Sequence, residues 1–399
     1  MEKVLIIHHS EIALKRKKRS FFEKKLADNI RYVLGKGLKV VRDENRLVIN
    51  NPPEPLDDLM NRVRKVFGVS HVGAGFRCEP SVEAISETVL KTLAESNATT
   101  IAIDVKRSYK QHPFTSQHVR IHLSRLVEKQ LGVKTDRKSE AELNVEITRN
   151  NAYVYLKKLK GFDGLPVGSS GTVLSLLSGG IDSAVASLLM MRRGCRVDFL
   201  HIHSYRSSQE ALEAKMSKVV EKLTEYGLRT KLYMASFAPF YRTVLTNPSR
   251  LELLLFRKYI LKTAEQIART DGYDAIVLGD SLAQVASQTL SNIVAVRPST
   301  DVLVFRPLIG FAKNDIVELA DKFEITNLVQ KSYKDCCSIV ARHPATAASF
   351  EEVEDEWTKL GLDNAVEQTL KNIETHIYTI KAGDVTLSSK PAIQQALDG

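Results

Sequence analysis

Cysteine is scarce in this chain, with four in 399 residues. So few cysteines exclude the disulfide framework that holds small secreted domains together. No apolar run reaches membrane-spanning length, and the strand-like start Val4–Ile7 is not typical of a signal peptide. We therefore expect a cytoplasmic protein without a membrane partner.

A Walker-type nucleotide motif is also missing, because no Gly-Lys-Ser/Thr follows a glycine turn. The chain has a different glycine turn at residues 172–183, Thr-Val-Leu-Ser-Leu-Leu-Ser-Gly-Gly-Ile-Asp-Ser. The apolar run Val173–Leu177 predicts a buried strand, and the apolar pattern from Ala184 predicts a helix. A strand, a glycine turn and a helix start form an anion site, because backbone N–H groups converge there and the helix dipole favours negative charge. The alternative is an ordinary turn before a helix.

The residues of this turn that could contact a phosphate are Ser178, Gly179, Gly180, Asp182 and Ser183. The two glycines allow the main chain to approach a phosphate, and the two serines add hydroxyl donors. A carboxylate repels phosphate unless a cation lies between them. We therefore predict a phosphate site and a role linked to Mg²⁺ for Asp182. The turn resembles the pyrophosphatase-type P-loop of enzymes that split ATP between its α and β phosphates, which implies ATP as the ligand.

Positive charge is concentrated in one part of the chain. Residues 1–160 have 31 Lys and Arg against 19 Asp and Glu, whereas residues 161–399 have 26 against 28. The first part predicts a polyanion partner, with nucleic acid favoured over a solvated basic surface. The candidate phosphate contacts are the five-residue run Lys15, Arg16, Lys17, Lys18 and Arg19 and the strand end with Lys106, Arg107, Lys110 and His112.

The pattern of elements predicts an α/β protein. From residue 172 onward, strands and helices alternate, which favours a doubly wound parallel sheet with its ligand at the carboxyl ends of the strands. Proline-rich 51–55 and glycine-rich 161–171 predict joints, giving domains 1–52, 53–162 and 163–399. We predict a loop at 15–19 and a helix after it, with Ser20 as the N-cap of the helix and Phe21 on its apolar face. Further helices are predicted at 56–67, 82–94, 116–131, 210–226 and 282–290.

Several motifs together resemble those of the tRNA 4-thiouridine synthetases, which are tRNA sulfurtransferases that also supply sulfur for the thiamine thiazole. The resemblance covers essentially the whole chain and rests on the glycine turn and on segments 11–30, 67–69, 105–116, 164–168, 279–290 and 306–310. It implies a ferredoxin-like α+β domain, then a THUMP RNA-binding α/β domain, then a doubly wound domain with a pyrophosphatase-type P-loop. It also implies tRNA as a partner and a homodimer.

The resemblance adds nucleotide contacts outside the turn. They fall on Leu176, Leu177, His201, Ile202, Arg257, Gly279 and Gln288. Five of these positions follow predicted strands and suit adenine, whereas Arg257 suits phosphate. The alternative for Arg257 is a surface arginine at the end of an apolar helix.

The sulfur-handling residue implied by the resemblance is Cys337, with Cys336 as an extra neighbour. The residues alone leave a buried apolar pair as an equal alternative. Many relatives end in a rhodanese domain with a persulfide cysteine, but no cysteine follows Cys337 here. Sulfur therefore reaches Cys337 or Cys336 directly, or comes from an external carrier such as a cysteine desulfurase or another persulfide donor.

The resemblance implies that ATP adenylates the 4-oxygen of uridine 8 in tRNA and that persulfide sulfur replaces it. Asp182 and Cys337 are the predicted catalytic residues. Two alternatives remain open on the residues: an ammonia-using enzyme that modifies a nucleobase or an amide, and an RNA-binding protein with a relic nucleotide site.

Overall fold

The computed structural model describes residues 1–399 except 36, 140, 330–332, 334–335, 341–344, 382 and 391–399; at 337, 338, 389 and 390 it describes the backbone alone. The chain forms two compact units, Met1–Pro166 and Val167–Gly399.

The first unit is built on one eight-stranded sheet. Its strands are β1 Glu2–His8, β2 Val40–Asp43, β3 Arg46–Asn50, β4 His71–Cys78, β5 Thr100–Arg107, β6 Lys134–Thr135, β7 Glu142–Ile147 and β8 Ala152–Lys160. Their order in the sheet is β2-β3-β1-β4-β8-β7-β5-β6. Strand β4 pairs with β1 on one side and with β8 on the other, so the sheet extends across the domain boundary predicted at 52–53. That boundary stays a prediction.

The described residues of this unit form four α-helices: α1 Arg19–Leu34, α2 Leu56–Arg64, α3 Val82–Ala94 and α4 Ser116–Leu131. Helices α3 and α4 begin and end where the sequence predicts. Both have a hydroxyl cap, since Ser81 accepts from the N–H of Ala84 and Thr115 accepts from the N–H of His118.

The start of α1 differs from the prediction. Residues Glu11–Lys18 form a 3₁₀ segment with a kink at Arg16, and α1 begins at Arg19, so the predicted loop and the Ser20 cap are wrong. Phe22 packs inside while Phe21 is 54% exposed, because Phe22 precedes Leu26 by four residues and shares the buried face of Leu26 and Ile30, whereas Phe21 does not. Helix α2 also ends early, at Arg64.

The second unit contains a seven-stranded sheet. Its strands are β9 Thr172–Leu176, β10 Arg196–His203, β11 Arg229–Ser236, β12 Ala275–Val277, β13 Leu303–Phe305, β14 Glu374–Lys381 and β15 Asp384–Lys390. Their order is β13-β12-β9-β10-β11-β14-β15. The first five in this order are parallel, which confirms the doubly wound sheet, and the antiparallel pair β14–β15 extends it.

The α-helices of the second unit are α5 Ile181–Arg192, α6 Ser208–Ala211, α7 Ser217–Gly227, α8 Ala238–Thr246, α9 Glu252–Asp271, α10 Leu290–Ala295, α11 Lys313–Lys322, α12 Thr326–Val329, α13 Cys336–Val340, α14 Phe350–Lys359 and α15 Leu362–Lys371. The chain leaves β9 toward β10 on one side, and β12 pairs on the other. The strand order therefore reverses between β9 and β12, which is where such sheets bind ligands.

One helix prediction in this unit is confirmed and one is wrong. Segment 210–226 lies within a continuous helical stretch, 208–227, which contains a π-helical turn, Leu212–Met216. Segment 282–290 is mostly loop with a 3₁₀ turn, Ala286–Gln288, because Ala283 has a positive φ and Thr289 caps the separate helix α10. A search of the described helices finds none with the length and apolarity that a membrane span requires.

Candidate active site

A cavity of about 470 Å³ opens at the carboxyl ends of β9, β10 and β12. Its volume is typical of small-molecule sites. Ten of the twelve predicted nucleotide contacts line it: Leu176, Leu177, Ser178, Asp182, Ser183, His201, Ile202, Arg257, Gly279 and Gln288. The other two, Gly179 and Gly180, lie in the turn beside it. The structure therefore brings together residues that are up to about a hundred positions apart.

The serines of the turn hold its shape. The Ser183 hydroxyl accepts a hydrogen bond from the N–H of Ser178 at 3.0 Å, and the two serine hydroxyls are 3.0 Å apart. The N–H of Gly180 donates to the Ser178 hydroxyl at 3.2 Å. Gly180 precedes α5, whose first turn carries Asp182. The turn thus places a helix N-terminus at the cavity, as an anion site requires.

Asp182 is held by two side chains from distant segments. The Lys313 ammonium is 2.7 Å from Oδ1, and the Gln284 amide donates to Oδ2 at 3.2 Å. Lys313 is the first residue of α11. A lysine therefore already offsets the negative charge of Asp182 beside the turn, as a bound phosphate would need.

The oxygen atoms at this end of the cavity suit Mg²⁺. Asp182 supplies a carboxylate, and the Oε1 atom of Gln284 is a buried acceptor without a hydrogen-bond partner among the described residues. Carboxylate and amide oxygens are the ligands that hard divalent cations prefer. Asp182 and Gln284 would hold the ion together with phosphate oxygens.

Arg257 reaches the cavity from α9. Its guanidinium donates to the Asp280 carboxylate at 2.8 Å and to the Ser287 carbonyl at 3.0 Å, and Arg306 donates to the other Asp280 oxygen at 3.1 Å. The alternative of a surface arginine is wrong, since the side chain is 13% exposed. Two guanidinium groups share one carboxylate, which leaves a net positive charge at this wall of the cavity.

His201 occupies the end of β10 below the turn. Its Nδ1 atom lies 2.7 Å from the Leu177 carbonyl, and its Nε2 atom lies 2.8 Å from the Tyr333 hydroxyl. Burial lowers the pKa of His201 to about 4, so the ring is neutral at physiological pH. A neutral ring here donates from Nδ1 to the carbonyl and accepts at Nε2 from the tyrosine.

Gly279, at the end of β12, packs directly against the start of α5. A Cβ atom at this position would lie 2.7 Å from the Ser183 nitrogen and 2.8 Å from the Ser183 Cα. Only glycine fits between strand and helix, so its presence at the cavity has a packing reason.

The two cysteines lie on α13. Cys336 is buried at 3% exposure, lines the cavity, and its thiol donates to the Ile202 carbonyl at 3.5 Å. The side chain of Cys337 is outside the part of the chain that the structure describes. The predicted sulfur-handling segment therefore begins at the wall of the cavity.

The nine predicted RNA contacts in the first unit divide into three groups. Arg16, Lys17, Lys18, Lys106 and Lys110 are exposed, although Lys106 also pairs with Asp104 at 2.7 Å. The second group is bonded within the fold. Arg19 donates to the buried Glu23, and Arg107 donates to the carbonyls of His112 and Phe114.

The remaining two members are intermediate. Lys15 is half-buried, 3.9 Å from Glu11 and over the ring of Phe22. His112 places Nε2 2.7 Å from the Thr148 carbonyl. The exposed group is better placed to contact a phosphate backbone than the bonded one.

Three family models match the chain. A family described as thiamine biosynthesis protein (ThiI) matches residues 168–362, its ferredoxin-like domain matches 4–73, and the THUMP domain matches 79–157. A probable tRNA sulfurtransferase of Thermoanaerobacter sp. (strain X514) is 33% identical over 381 residues, covering 93% of this chain and 100% of the relative. The chain belongs to the tRNA sulfurtransferase family.

Other relatives agree with this assignment. A probable tRNA sulfurtransferase of Alkaliphilus oremlandii (strain OhILAs) is 33% identical over 96% of this chain and 100% of the relative. A crystal structure of a 4-thiouridine synthetase–RNA complex with bound ATP superposes with a TM-score of 0.82 at 28% identity, covering 94% of this chain and 100% of that one. The family resemblance and the three predicted fold types are confirmed.

Motif analysis missed four residues that line the cavity of this tRNA sulfurtransferase family member or contact its lining. Lys313 and Tyr333 were not selected, and Gln284 and Arg306 entered only as parts of the motif segments 279–290 and 306–310. The signal for Arg306 and Lys313 was their place just after the end strand of the parallel sheet. Tyr333 had no comparable signal, because its place opposite Gly179 depends on tertiary packing.

Proposed function

We propose that the chain is an ATP-dependent tRNA sulfurtransferase that converts uridine to 4-thiouridine at position 8 of tRNA. The observation that carries this proposal is the cavity at the reversal point of the sheet, where the glycine turn, Asp182 and the cysteine-bearing helix α13 meet. An ATP-using family and a basic first unit support the same activity. We infer a cytoplasmic location from the tRNA substrate.

In the first half-reaction, the uridine 4-oxygen attacks the α-phosphate of ATP and pyrophosphate leaves. The N–H groups at the start of α5 and the Lys313 ammonium stabilise the charge that develops on the phosphates. Arg257 binds a phosphate group of the nucleotide, and His201 and Leu177 form the part of the cavity wall that contacts the adenine base. Mg²⁺, held by Asp182 and Gln284, would supply charge neutralisation on the phosphate oxygens.

In the second half-reaction, a persulfide sulfur attacks carbon 4 and AMP leaves with the former 4-oxygen. This leaves carbon 4 joined through the new sulfur to the sulfur of the carrier cysteine. If Cys337 is the carrier, a second thiol, that of Cys336 or of free cysteine, attacks the Cys337 sulfur; if an external protein is the carrier, Cys337 attacks the carrier sulfur. In both cases 4-thiouridine leaves and the two thiols end as a disulfide, which excess free cysteine reduces. A cysteine desulfurase or another persulfide donor loads the sulfur. Because the matching family model is described as a thiamine biosynthesis protein, we also propose that the chain supplies sulfur for the thiamine thiazole.

The deciding experiment incubates unmodified tRNA with ATP, Mg²⁺, cysteine, a cysteine desulfurase and the protein, and measures nucleosides by mass spectrometry. We expect 4-thiouridine at position 8. Cys337→Ser should abolish it while tRNA binding and ATP–pyrophosphate exchange persist, with Cys78→Ser as the matched control. Retained thiolation in Cys337→Ser would refute the role of Cys337, and ammonia-dependent modification without thiolation would favour the ammonia-using alternative.

We also propose a homodimer. Apolar side chains are exposed at the edge strand β13 and on the loops that touch it, namely Leu282, Leu303, Phe305, Ile309 and Phe311. An exposed apolar patch at a sheet edge is typical of a protein interface. Light scattering should give twice the chain mass, and Leu303→Lys with Phe305→Lys should give a monomer; an unchanged mass would place the interface elsewhere.

A further inference from the structure

Lys215 is a buried lysine next to the nucleotide turn. It is 3% exposed, and lysine is almost never fully buried without partners. It lies in the π-helical turn Leu212–Met216 between α6 and α7. Such turns are frequent at functional sites, because the extra residue rotates a side chain out of the regular helical position.

The Lys215 ammonium joins two segments that are far apart in the sequence. It donates to the carbonyl of Gly179 at 2.6 Å and to the carbonyl of Val329 at 2.8 Å. Gly179 is the middle of the nucleotide turn. Val329 is the last residue of α12, eight positions before Cys337.

Tyr333 lies at the same junction. The Lys215 ammonium is 5.9 Å from the centre of its ring, and the ring packs so closely on Gly179 that a Cβ there would be 2.5 Å away. The Tyr333 hydroxyl is bonded to His201. The segment before Cys337 therefore contacts the turn at two points, one through Lys215 and one through Tyr333.

These contacts have an electrostatic consequence for phosphate binding. A carbonyl directed at the phosphates would repel them, whereas an ammonium that holds the Gly179 carbonyl leaves the neighbouring N–H groups for the anion. The same positive charge lies beneath the turn, inside a low-dielectric region where it acts strongly. A lysine has three donors and no acceptor, so it can hold both carbonyls at once.

We propose that Lys215 is a positioning residue that fixes the nucleotide turn and, through the same ammonium, the start of the segment that leads to Cys337. This inference rests on the proposed sulfurtransferase function. It makes Lys215 serve both half-reactions: it shapes the turn for the phosphates, and it sets the distance between the activated uridine and the sulfur.

The test measures both half-reactions in Lys215→Met, which keeps the length of the side chain and removes the charge. We expect the KM for ATP in tRNA-dependent pyrophosphate exchange to rise about tenfold, as for loss of a charge-assisted hydrogen bond. We expect 4-thiouridine formation to fall about a hundredfold, because misplaced reacting groups lose rate steeply. The matched control is Lys258→Met, a lysine 1% exposed in α9 that pairs with Glu354.

Lys258→Met should lower the melting temperature without raising the KM for ATP and without changing the ratio of thiolation to exchange. If Lys215→Met does not fold, Lys215→Arg keeps a charge but not the compact ammonium, and thiolation should again fall more than exchange. An unchanged KM, or equal losses in the two half-reactions, would overturn the inference. A wild-type protein that exchanges pyrophosphate but forms no 4-thiouridine would refute the proposed function, while the KM comparison would still decide the role of Lys215 at the turn.

Discussion

Small residues at the proposed nucleotide site permit close packing of the backbone and form the hydrogen bonds that fix the turn. Gly279 allows β12 to touch the start of α5, and Ser183 closes the turn by accepting the Ser178 N–H. The charged residues act in pairs, since Asp182 contacts Lys313 and Arg257 contacts Asp280. These four charges at the proposed nucleotide site are therefore fixed by partners within the fold, which would lower the reorganisation that nucleotide binding requires.

The first prediction concerns Gly279. Gly279→Ala should destabilise the protein by about 1–3 kcal/mol, because the new methyl group overlaps backbone atoms of Asp182 and Ser183 that cannot rotate away. The displaced start of α5 should also weaken ATP binding. Urea unfolding and ATP titration measure both effects. Gly310→Ala is the control, since a Cβ there meets no atom within 4 Å; equal behaviour of the two variants would contradict the packing argument.

The second prediction concerns the pH dependence that His201 causes. Burial lowers its pKa to about 4 from an unfolded value near 6.5. Between these values the unfolded chain binds a proton and the folded chain does not, so stability falls as the pH falls from about 6.5 to 4. The loss is about 1.4 kcal/mol per pH unit, or about 3 kcal/mol in all.

His201→Gln removes this titration while it keeps a donor and an acceptor. The unfolding free energy of the variant should therefore decrease less steeply below pH 6.5 than that of the wild type. Urea unfolding at pH 7 and at pH 5 gives the comparison. Parallel pH profiles for the two proteins would show that His201 is protonated in the folded state, against the prediction.

At the scale of elements, local signals predict structure well where they agree with tertiary packing. The bounds of α3 and α4 follow from a serine or threonine cap and an apolar face, both of which are local. Segment 282–290 contains residues with high helix propensity but forms mostly a loop, in which Gln284, Ser287 and Gln288 line the cavity. The antiparallel pair β14–β15 could not be predicted from the alternation of strands and helices that precedes it.

The candidate site shows the same division. The turn and the strand ends are local in sequence, so the pattern of residues places Ser178, Asp182, Ser183, His201, Ile202 and Gly279 at the cavity. The family resemblance supplied Leu176, Leu177, Arg257 and Gln288, which also line it. Lys313, Tyr333 and Lys215 contact residues more than thirty positions away. Nothing in their immediate neighbours indicates such contacts, which depend on the folded sheet.

The third prediction concerns the sheet of the first unit. The ring of Tyr155 on β8 covers Gly73 of β4, where a Cβ atom would be 2.6 Å from the ring. The Tyr155 hydroxyl donates a hydrogen bond to Glu146 at 2.6 Å. Gly73→Ala should displace the ring, break this hydrogen bond and cost about 1–3 kcal/mol of stability. Urea unfolding measures the loss, and tRNA binding should weaken while ATP binding is kept.

A double-mutant cycle with Tyr155→Ala identifies the cause. If the ring is what the new methyl group meets, Gly73→Ala should cost much less in the Tyr155→Ala background than in the wild type. Additive costs would show that the methyl group acts on the backbone of β4 instead.

At the scale of the whole molecule, the two compact units differ in charge. The excess of positive charge lies in residues 1–160, and residues 161–399 have a small negative excess. Binding of a polyanion to basic side chains releases counterions, so its affinity depends on salt. The charged groups at the proposed nucleotide cavity form fixed, partly buried pairs, which salt screens less. tRNA binding and ATP binding should therefore respond differently to ionic strength.

The last prediction uses that difference. Lys17, Lys18 and Lys110 are exposed lysines of the first unit. Replacing all three by Gln should weaken tRNA binding, and the slope of log affinity against log salt should become shallower by up to about three, near one for each lost phosphate contact. Filter binding at several salt concentrations gives the slope. The KM for ATP should not change, because none of the three lies at the cavity.

The control removes the same charge from the second unit, with Gln at the exposed residues Lys218, Lys322 and Lys371. If net charge alone attracted tRNA, both triple variants would lose the same affinity. If direct contact between lysines and the phosphate backbone determines the affinity, only the first-unit variant should change the slope. Counterions are released only from phosphates that a lysine contacts. An unchanged slope in that variant would show that tRNA contacts residues outside the 15–19 and 106–112 segments. Arg19 and Arg107 would then have a structural role alone, which agrees with their hydrogen bonds to Glu23 and to the His112 carbonyl.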